Sequence, residues 1–527
     1  MRRRPRRVII VGAGHNGLVC AAYLARAGVS VTVVERRELI GGSSVTEEIW
    51  PGYRSSRAAY VLGLFRPQIV RDLELARHGL RLLPRAPSSF TPLLDGRSLT
   101  LGPSLAENVA EIGRFSPHDA EAYPRYESFV ERIASAFEPM LDHAPPQWPP
   151  GSRGDLAAWL SSARAAMRLG RDLPRAARLL LGPARELLDE WFDCEPLKAT
   201  LATDAVIGAF ASPASPGTGY VLFHHVMGSV TGSRGVWAYV QGGMGQLSHA
   251  LAGAARAAGA RIRTAAPVER IVVRNGRAAG VVLEGGEELR ADVVASSADP
   301  EITFLRLLED GVLPVDFVRA VRQIDYRSPV FKVNLALDRL PEFRVRDRNS
   351  PLPLTGTIHV GSETVDALVT AFRDADQGEV SQRPIVEMTI PSVLDPTLAP
   401  EGRYVASIFA QYAPAKPMGD PGWPRRRDLA QERILGLVEE VAPGFRDSIV
   451  HVEVLAPPDL ERIFALTGGN IFHGAMTPDR LLFLRPVPQA SRYRTPLDGL
   501  YLCGAGAHPG GGVVGACGRN AAREILG

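Results

Sequence analysis

Lysine is almost missing from this chain. Of 60 Lys and Arg residues only Lys198, Lys332 and Lys416 are lysine, which reads as compositional drift toward arginine and makes each retained lysine conspicuous. Cysteine is scarce as well. Cys20, Cys194, Cys503 and Cys517 stand far apart with no CxxC, which excludes a zinc-finger spacing or a disulfide framework and suits reduced thiols in the cytoplasm. No metal site is expected. No stretch reaches about 18 uninterrupted apolar residues, so no transmembrane helix is expected. The arginine-rich start imitates a secretion signal, but His15 and Asn16 interrupt the apolar run behind it. A strong charge of either sign is lacking too, and a net +3 on 527 residues implies no nucleic-acid partner. A chain of that length exceeds a single simple core, so two domains are expected.

What is present begins with a strand, a glycine turn and a helix. Val8, Ile9, Ile10 and Val11 form an apolar, β-branched run of the kind buried on both faces of a parallel sheet. Gly12, Gly14 and Gly17 follow in a GxGxxG spacing and open a helix over 18–27, after which 29–34 is a second strand ending in Glu35. Gly12 permits the tight turn, Gly14 lets a pyrophosphate approach the backbone, and Gly17 lets helix and strand pack closely. The helix N-terminus offers unpaired N–H groups and a positive dipole to the phosphates. Glu35, 18 residues beyond Gly17, is placed to accept both hydrogens of a ribose diol. Gly41, Gly42 and Ser43 add a second close-approach point that an NAD site does not need. This ensemble resembles the flavin-binding opening of the amine oxidase and phytoene desaturase superfamily, which implies FAD, with Arg36 and Arg37 leaving open a 2′-phosphate of NADP.

Farther along, Ser116 or Asp119 caps a helix start, and the proline-rich stretch 144–151 is a surface turn. Residues 155–192 space Leu156, Trp159, Leu160 and Met167 helically among Arg164, Arg168, Arg171, Arg175 and Arg178. That pattern suits a helix with a core face and a solvated face, or a basic surface in peripheral contact with a membrane. The texture of the opening returns over 235–300, with a helix from Gly242 to Ala258 and an Asn275-Gly276 hairpin tip. Strands are expected over 330–337 and 385–390. Near the end, five glycines fall within 504–512, just before a helix from Ala516. They let a strand-to-helix turn approach a ligand, and the helix start can stabilise negative charge on a reduced flavin.

The stretch 499–515, with Gly504, Gly506, His508, Val514 and Gly515, looks like the C-terminal flavin motif of phytoene desaturase-like oxidoreductases and of bacterial carotene ketolases. With 217–228, 242–245 and 468–474, it is most similar to the family named for pyridine nucleotide-disulfide oxidoreductase domain-containing protein 2. The resemblance spans essentially the whole chain. It implies a mixed α/β (α+β) fold, amine oxidase-like, with a Rossmann-type FAD-binding domain from 1–85, 235–310 and 460–527. A sheet-and-helix substrate domain from 86–234 and 311–459 would be interleaved with it. It implies that Val268 meets the adenine of FAD through its backbone, and the absence of an obvious covalent-attachment motif adds that the FAD is held non-covalently. A disulfide reductase would need a redox CxxxxC and a second GxGxxG, and neither is present.

FAD without a nicotinamide site points to oxidation of a small or lipophilic organic substrate by hydride transfer to flavin N5, with oxygen or a quinone as acceptor. Desaturase, ketolase, isomerase and amine oxidase remain open. So does a non-enzymatic lipid-binding module, since GDP dissociation inhibitors and Rab escort proteins share this architecture. No residue pattern specifies an oligomer. The candidates for catalysis are Lys332, His224, His225 and His508, with Asn470 and His473 also of interest. Lys332 is similar to the lysine that reaches the isoalloxazine through a water in flavin amine oxidases, though a solvent-facing lysine on an edge strand would read alike. An ammonium can lose its proton on burial, whereas a guanidinium cannot. Arg57 and Tyr60 are expected either to tie down their loop or to face the flavin. The pocket is expected to be largely apolar and to open beside 155–192.

Overall fold

The computed structural model describes residues 6–147, 149–151, 153–346, 353–415 and 422–527. The basic start at 1–5, Trp148 of the proline-rich turn and Lys416 lie outside the described residues. The apolar run at the start becomes the strand Arg7–Val11, the middle of a five-stranded parallel sheet. Ser30–Val34 and Arg261–Arg263 follow on one side of it, and Val293–Ser296 and Leu500–Leu502 on the other. Parallel strands need both faces covered. The opening helix His15–Arg26 packs between the helices Gly245–Ala257 and Ala516–Leu526, which supply part of that cover, and the strands Arg277–Leu283 and Glu288–Arg290 also pack against the sheet. At Gly518 a Cβ would stand 2.0 Å from Asn16 O, so only glycine lets the opening and closing helices cross this closely.

A second sheet has seven strands in the order Ile449–Leu455, Val330–Leu337, Tyr404–Gln411, Ile385–Thr389, Thr357–Val360, Ser89–Pro92 and Ser98–Leu101. It is antiparallel except where Thr357–Val360 runs parallel to Ser89–Pro92. Strand alternation sorts its faces. Phe331, Val333, Leu335, Ile408, Val386 and Ile358 enter an apolar core backed by the helix Gly422–Val441. Lys332, Asn334, Ser407, Glu387 and His359 take the opposite face.

Helices between 105 and 226 form a third cluster, built on Pro117–Leu141 and Thr218–Val226. Ser116 Oγ accepts the Asp119 amide at the start of Pro117–Leu141, a 25-residue helix that carries Pro124 and Pro139 inside it. The helices Arg153–Arg168 and Leu173–Leu181 leave Leu156, Leu160, Met167, Leu173 and Leu181 exposed. Among the described residues no helix is long and apolar enough to cross a membrane.

Candidate flavin and substrate site

The glycine turn is fastened on every side but one. Gly12, with φ +90°, donates its N–H to Val34 O at 2.8 Å, and a Cβ there would stand 2.6 Å from Ser297 Oγ. A Cβ on Gly17 would stand 2.3 Å from Gly12 O. Gly14 differs, since a Cβ there would meet only Ser297 Oγ at 4.0 Å. The opening helix has neither a side-chain cap nor an acidic residue in its first turn, so its first N–H groups face outward unanswered. The second glycine pair closes on this spot: Gly41 bridges to Gly14 and donates to Ala13 O at 2.9 Å. Bare backbone at Gly14 and Gly42, beside an uncapped helix start, fits a diphosphate.

Glu35 is 6% exposed and accepts the amides of Ala13 at 2.8 Å and Arg37 at 3.0 Å. Its carboxylate is thereby held at the sheet edge with lone pairs to spare. The amides of Ala265 and Ala266 donate to Arg37 O and Glu35 O, which brings Val268, at the head of the strand Val268–Arg274, to the same end. Arg36 donates to the carbonyls of Arg462 and Ile463, and Arg37 pairs with Glu47 at 2.9 Å and lies over the Phe464 ring. Both arginines are thus engaged with protein groups and not presented to a 2′-phosphate.

In the C-terminal turn the missing side chains make room mainly for protein. A Cβ on Gly504 would stand 2.2 Å from Ser297 O, and one on Gly506 2.5 Å from Pro300 Cδ. Gly515, with φ +77°, starts the closing helix, which has no side-chain cap, while Val514 O accepts the Arg66 amide. Arg485, 2% exposed, ties this turn to the 472–475 loop by donating to the carbonyls of Phe472, Gly474, Ala475, Ala505 and Ala507. Sequence reasoning missed that pin, because nothing local marks an arginine whose partners are all backbone oxygens.

A cavity of about 660 Å³ lies against this turn, lined by His15, Ser43, Ala59, Gly512 and Val513 on the cradle side. Lys332, Phe409, Glu387 and His359 form its floor. Those four are successive cross-strand partners on four adjacent strands, one row across the sheet. At about 4.8 Å per strand, Lys332 and Glu387 sit roughly 10 Å apart along that row.

Lys332 is 1% exposed on a strand flanked on both sides, so the alternative of a solvent-facing edge lysine is corrected. Its Nζ donates to Asn334 Oδ1 at 2.8 Å and to Ser407 Oγ, and lies 5.3 Å above the Tyr60 ring. Burial pushes its ammonium down to about 7, against the opposing pull of Glu453. Asn334 in turn donates to Glu453, which is ion-paired with Arg57 at 2.6 Å. Arg57 thus ties down its loop, whereas Tyr60 faces the cavity and donates to Glu387 Oε2 at 3.5 Å. Burial, with Asp204 beside it, raises Glu387 to about 8.

The histidines divide. His225 lines the cavity, stacked on Trp237. His224 and His508 do not line it, which corrects their expected place at the substrate. His224 Nε2 donates to Gly511 O at 3.0 Å and His508 Nε2 to Met140 O at 2.9 Å, anchoring the glycine turn. Burial lowers them to about 3 and about 4, so both are neutral. Asn470 likewise serves backbone groups of Arg327, Phe472 and Gly474. His15 and His473 face the cavity, with His15 Nε2 and His473 Nδ1 buried and unpartnered, and burial lowers them to about 3 and about 4.

The exposed lining residues Leu105, Ser128, Glu131 and Ser233 mark the mouth, between the helix Pro117–Leu141 and the 102–105 loop. None of the lining falls within 155–192, so the expected opening beside those helices is corrected. The polar end of the floor, with Arg85, Asp204, His359 and Glu387, also went unread. Alternation in 385–390 would have shown Glu387 and Thr389 sharing a face, as it did for Lys332 and Asn334.

The chain is 51% identical to pyridine nucleotide-disulfide oxidoreductase domain-containing protein 2 of Rattus norvegicus, covering 98% of this chain and 93% of that one. It is 30% identical to hydroxyneurosporene desaturase of Cereibacter sphaeroides, over 100% of this chain and 98% of the other. The fold matches putrescine oxidase with a TM-score of 0.60 at 18% identity, covering 99% of each chain. The profile of the flavin containing amine oxidoreductases matches residues 17–526, and with the cradle and cavity arranged as above the chain belongs to that family, an FAD-dependent oxidoreductase.

Proposed function

We propose that this protein oxidises a small, partly apolar organic molecule held between the cradle and the Lys332–His359 row, by hydride transfer to non-covalently bound FAD. Bound FAD supplies the two-electron acceptor that the substrate C–H bond requires. Gly12, Gly14, Gly17 and the opening helix hold the diphosphate with Gly41, Gly42 and Ser43. Glu35 takes the adenosine ribose and the Val268 backbone the adenine. Gly504, Gly506, Val514 and Gly515 shape the seat of the ring system. Residues 1–85, 235–310 and 460–527 make up the FAD-binding domain, and 86–234 and 311–459 the substrate domain. Arg36 serves its loop instead of a ligand, as its two carbonyl contacts support.

The single observation carrying the reading is the burial of Lys332 on the cavity floor with its amine near 7. Part of the population is free base at neutral pH, so Nζ can take a proton from a substrate N–H or O–H, or from water relaying one. Asn334 and Ser407 fix where that lone pair points. Tyr60, Phe409, Ile207 and Leu466 keep bulk water out. Reoxidation falls to oxygen or a quinone, in keeping with the absence of a second nucleotide fingerprint.

Anaerobic mixing of the yellow protein with candidate substrates tests this. Lys332→Met should retain FAD yet slow flavin reduction or its reoxidation by oxygen about a hundredfold or more, the range in which proton-transfer groups act. Unchanged rates in both half-reactions, or rapid bleaching by stoichiometric NADPH, defeat the reading.

A further inference from the structure

The cavity has a polar end that proton handling at Lys332 does not use. Arg85 is 4% exposed and lines the cavity. One of its N–H groups donates to Thr357 Oγ1 at 2.8 Å, and its guanidinium lies 5.4 Å from the centroid of the Tyr239 ring. Its Nε is buried with no partner, and among the described residues it forms no ion pair. A guanidinium cannot shed its charge, and a buried charge without a counter-ion is costly. Other buried arginines of this chain are answered. Arg66 has Glu138 and Asp142, and Arg485 has five carbonyls. Arg85, whose neighbours are the neutral Thr357 and Tyr239 hydroxyls, lines the cavity without an ion pair among the described residues.

Two carboxyls share this end, Glu387 and Asp204, and Arg85 acts on both across a distance. Burial raises both, and Glu387 reaches about 8. At neutral pH Glu387 is therefore mostly a hydrogen-bond donor and does not cancel the guanidinium. Arg85, the protonated Glu387 and the Thr357 hydroxyl thus put donors at this end, set against Asp204, whose carboxyl Arg85 draws back toward its charged form. Leu101, Val130, Leu201, Ile207 and Val226 give the rest of the cavity apolar wall, interrupted by Glu127 and by Arg234, which is paired with Glu131 and Glu138.

We propose that the cavity takes an organic acid whose carboxylate seats on Arg85 at the Glu387–His359 end, its apolar body lying along the floor past Phe409. A carboxylate matches the guanidinium fork in geometry and charge, which an alcohol or an amine does not. The proposal rests on the reading of this cavity as the substrate site. An ammonium ligand drawn to Asp204 and Glu387 is the opposing outcome.

The test uses decanoate, decanol and decylamine on the purified protein, by calorimetry and in parallel by perturbation of the flavin spectrum. Decanoate should bind at least about tenfold tighter than decanol. Arg85→Gln should weaken decanoate about tenfold or more and leave decanol within about twofold. Glu387→Gln, which holds that neighbour neutral, should keep decanoate binding intact. Decylamine binding more tightly than decanoate to the unaltered protein overturns the proposal without any variant. So does a decanoate affinity indifferent to Arg85→Gln. Colourless protein that cannot take up FAD would sink the oxidoreductase reading, while the calorimetric comparison would still decide the anion site.

Discussion

Lys332 and Glu387 flank the same residue: each is the cross-strand partner of Phe409, one from either side. A base lowered to about 7 and an acid raised to about 8 therefore face one cavity across a single aromatic side chain. Both shifts have one cause, burial, and they act oppositely on charge because burial favours the neutral form of each.

The first consequence is kinetic. The Lys332 amine is protonated below about 7 and free above it. Flavin reduction should therefore speed up as pH rises through that value and level off beyond it. In Lys332→Met this limb should vanish. Stopped-flow reduction between pH 5.5 and 9 checks it, and a limb surviving in the variant would assign the titration to another group.

Stability should respond to the same pair with opposite signs. Glu387 binds its proton more tightly folded than unfolded, so its contribution is present below about 4.5 and lost as pH rises through about 8. Lys332 is depressed, so its contribution is present above about 10.5 and lost as pH falls through about 7. Denaturant unfolding should show Glu387→Gln gaining on the parent protein from pH 5 to pH 8. A difference constant over that range would contradict the burial of a protonated acid.

Glycine substitutions should separate contact from conformation. Gly17→Ala and Gly518→Ala would drive Cβ to 2.3 Å from Gly12 O and 2.0 Å from Asn16 O. Each should cost about 1–3 kcal/mol or more and loosen FAD retention, because the cradle must open to admit a methyl. Gly28→Ala meets nothing within 4 Å, although its φ is +82°. It should cost about 1–2 kcal/mol through backbone strain alone and leave FAD bound. Thermal melts with flavin-release readings distinguish the two classes.

Glu35→Ala removes the acceptor of the Ala13 and Arg37 amides along with the proposed ribose contact. FAD affinity should fall by about 1.5–3 kcal/mol, roughly tenfold to a hundredfold. Ultrafiltration at graded protein concentrations would reveal the released flavin. Full retention would mean that the ribose is held by other groups.

Why the cradle could be read from sequence and the polar end could not has a physical explanation. Strand, turn, helix and acid lie within 7–35, so local spacing carries their geometry. The same holds for Lys332, whose strand alternates clearly and whose residue type is rare here. Arg85, Asp204, Glu387 and His359 come from four separated segments and meet only through sheet order and helix packing. His224 and His508 were singled out by residue type, yet their ring nitrogens serve the carbonyls of Gly511 and Met140. In a chain so rich in arginine, no local pattern sets Arg85 or Arg485 apart from the rest.

The crossing of the opening and closing helices at Gly518 bears on how the protein acquires its colour. The strand Leu500–Leu502 pairs only with Val293–Ser296 in the parallel sheet, and the helix Ala516–Leu526 is one wall against His15–Arg26. During synthesis the first glycine turn emerges from the ribosome some five hundred residues before its covering wall. A nascent chain stalled before residue 500 would hold one half of a clasp, unable to grip a dinucleotide. Gripping the flavin thus requires the helix Ala516–Leu526 to be in place, and a chain cut before residue 500 should fail to take up FAD.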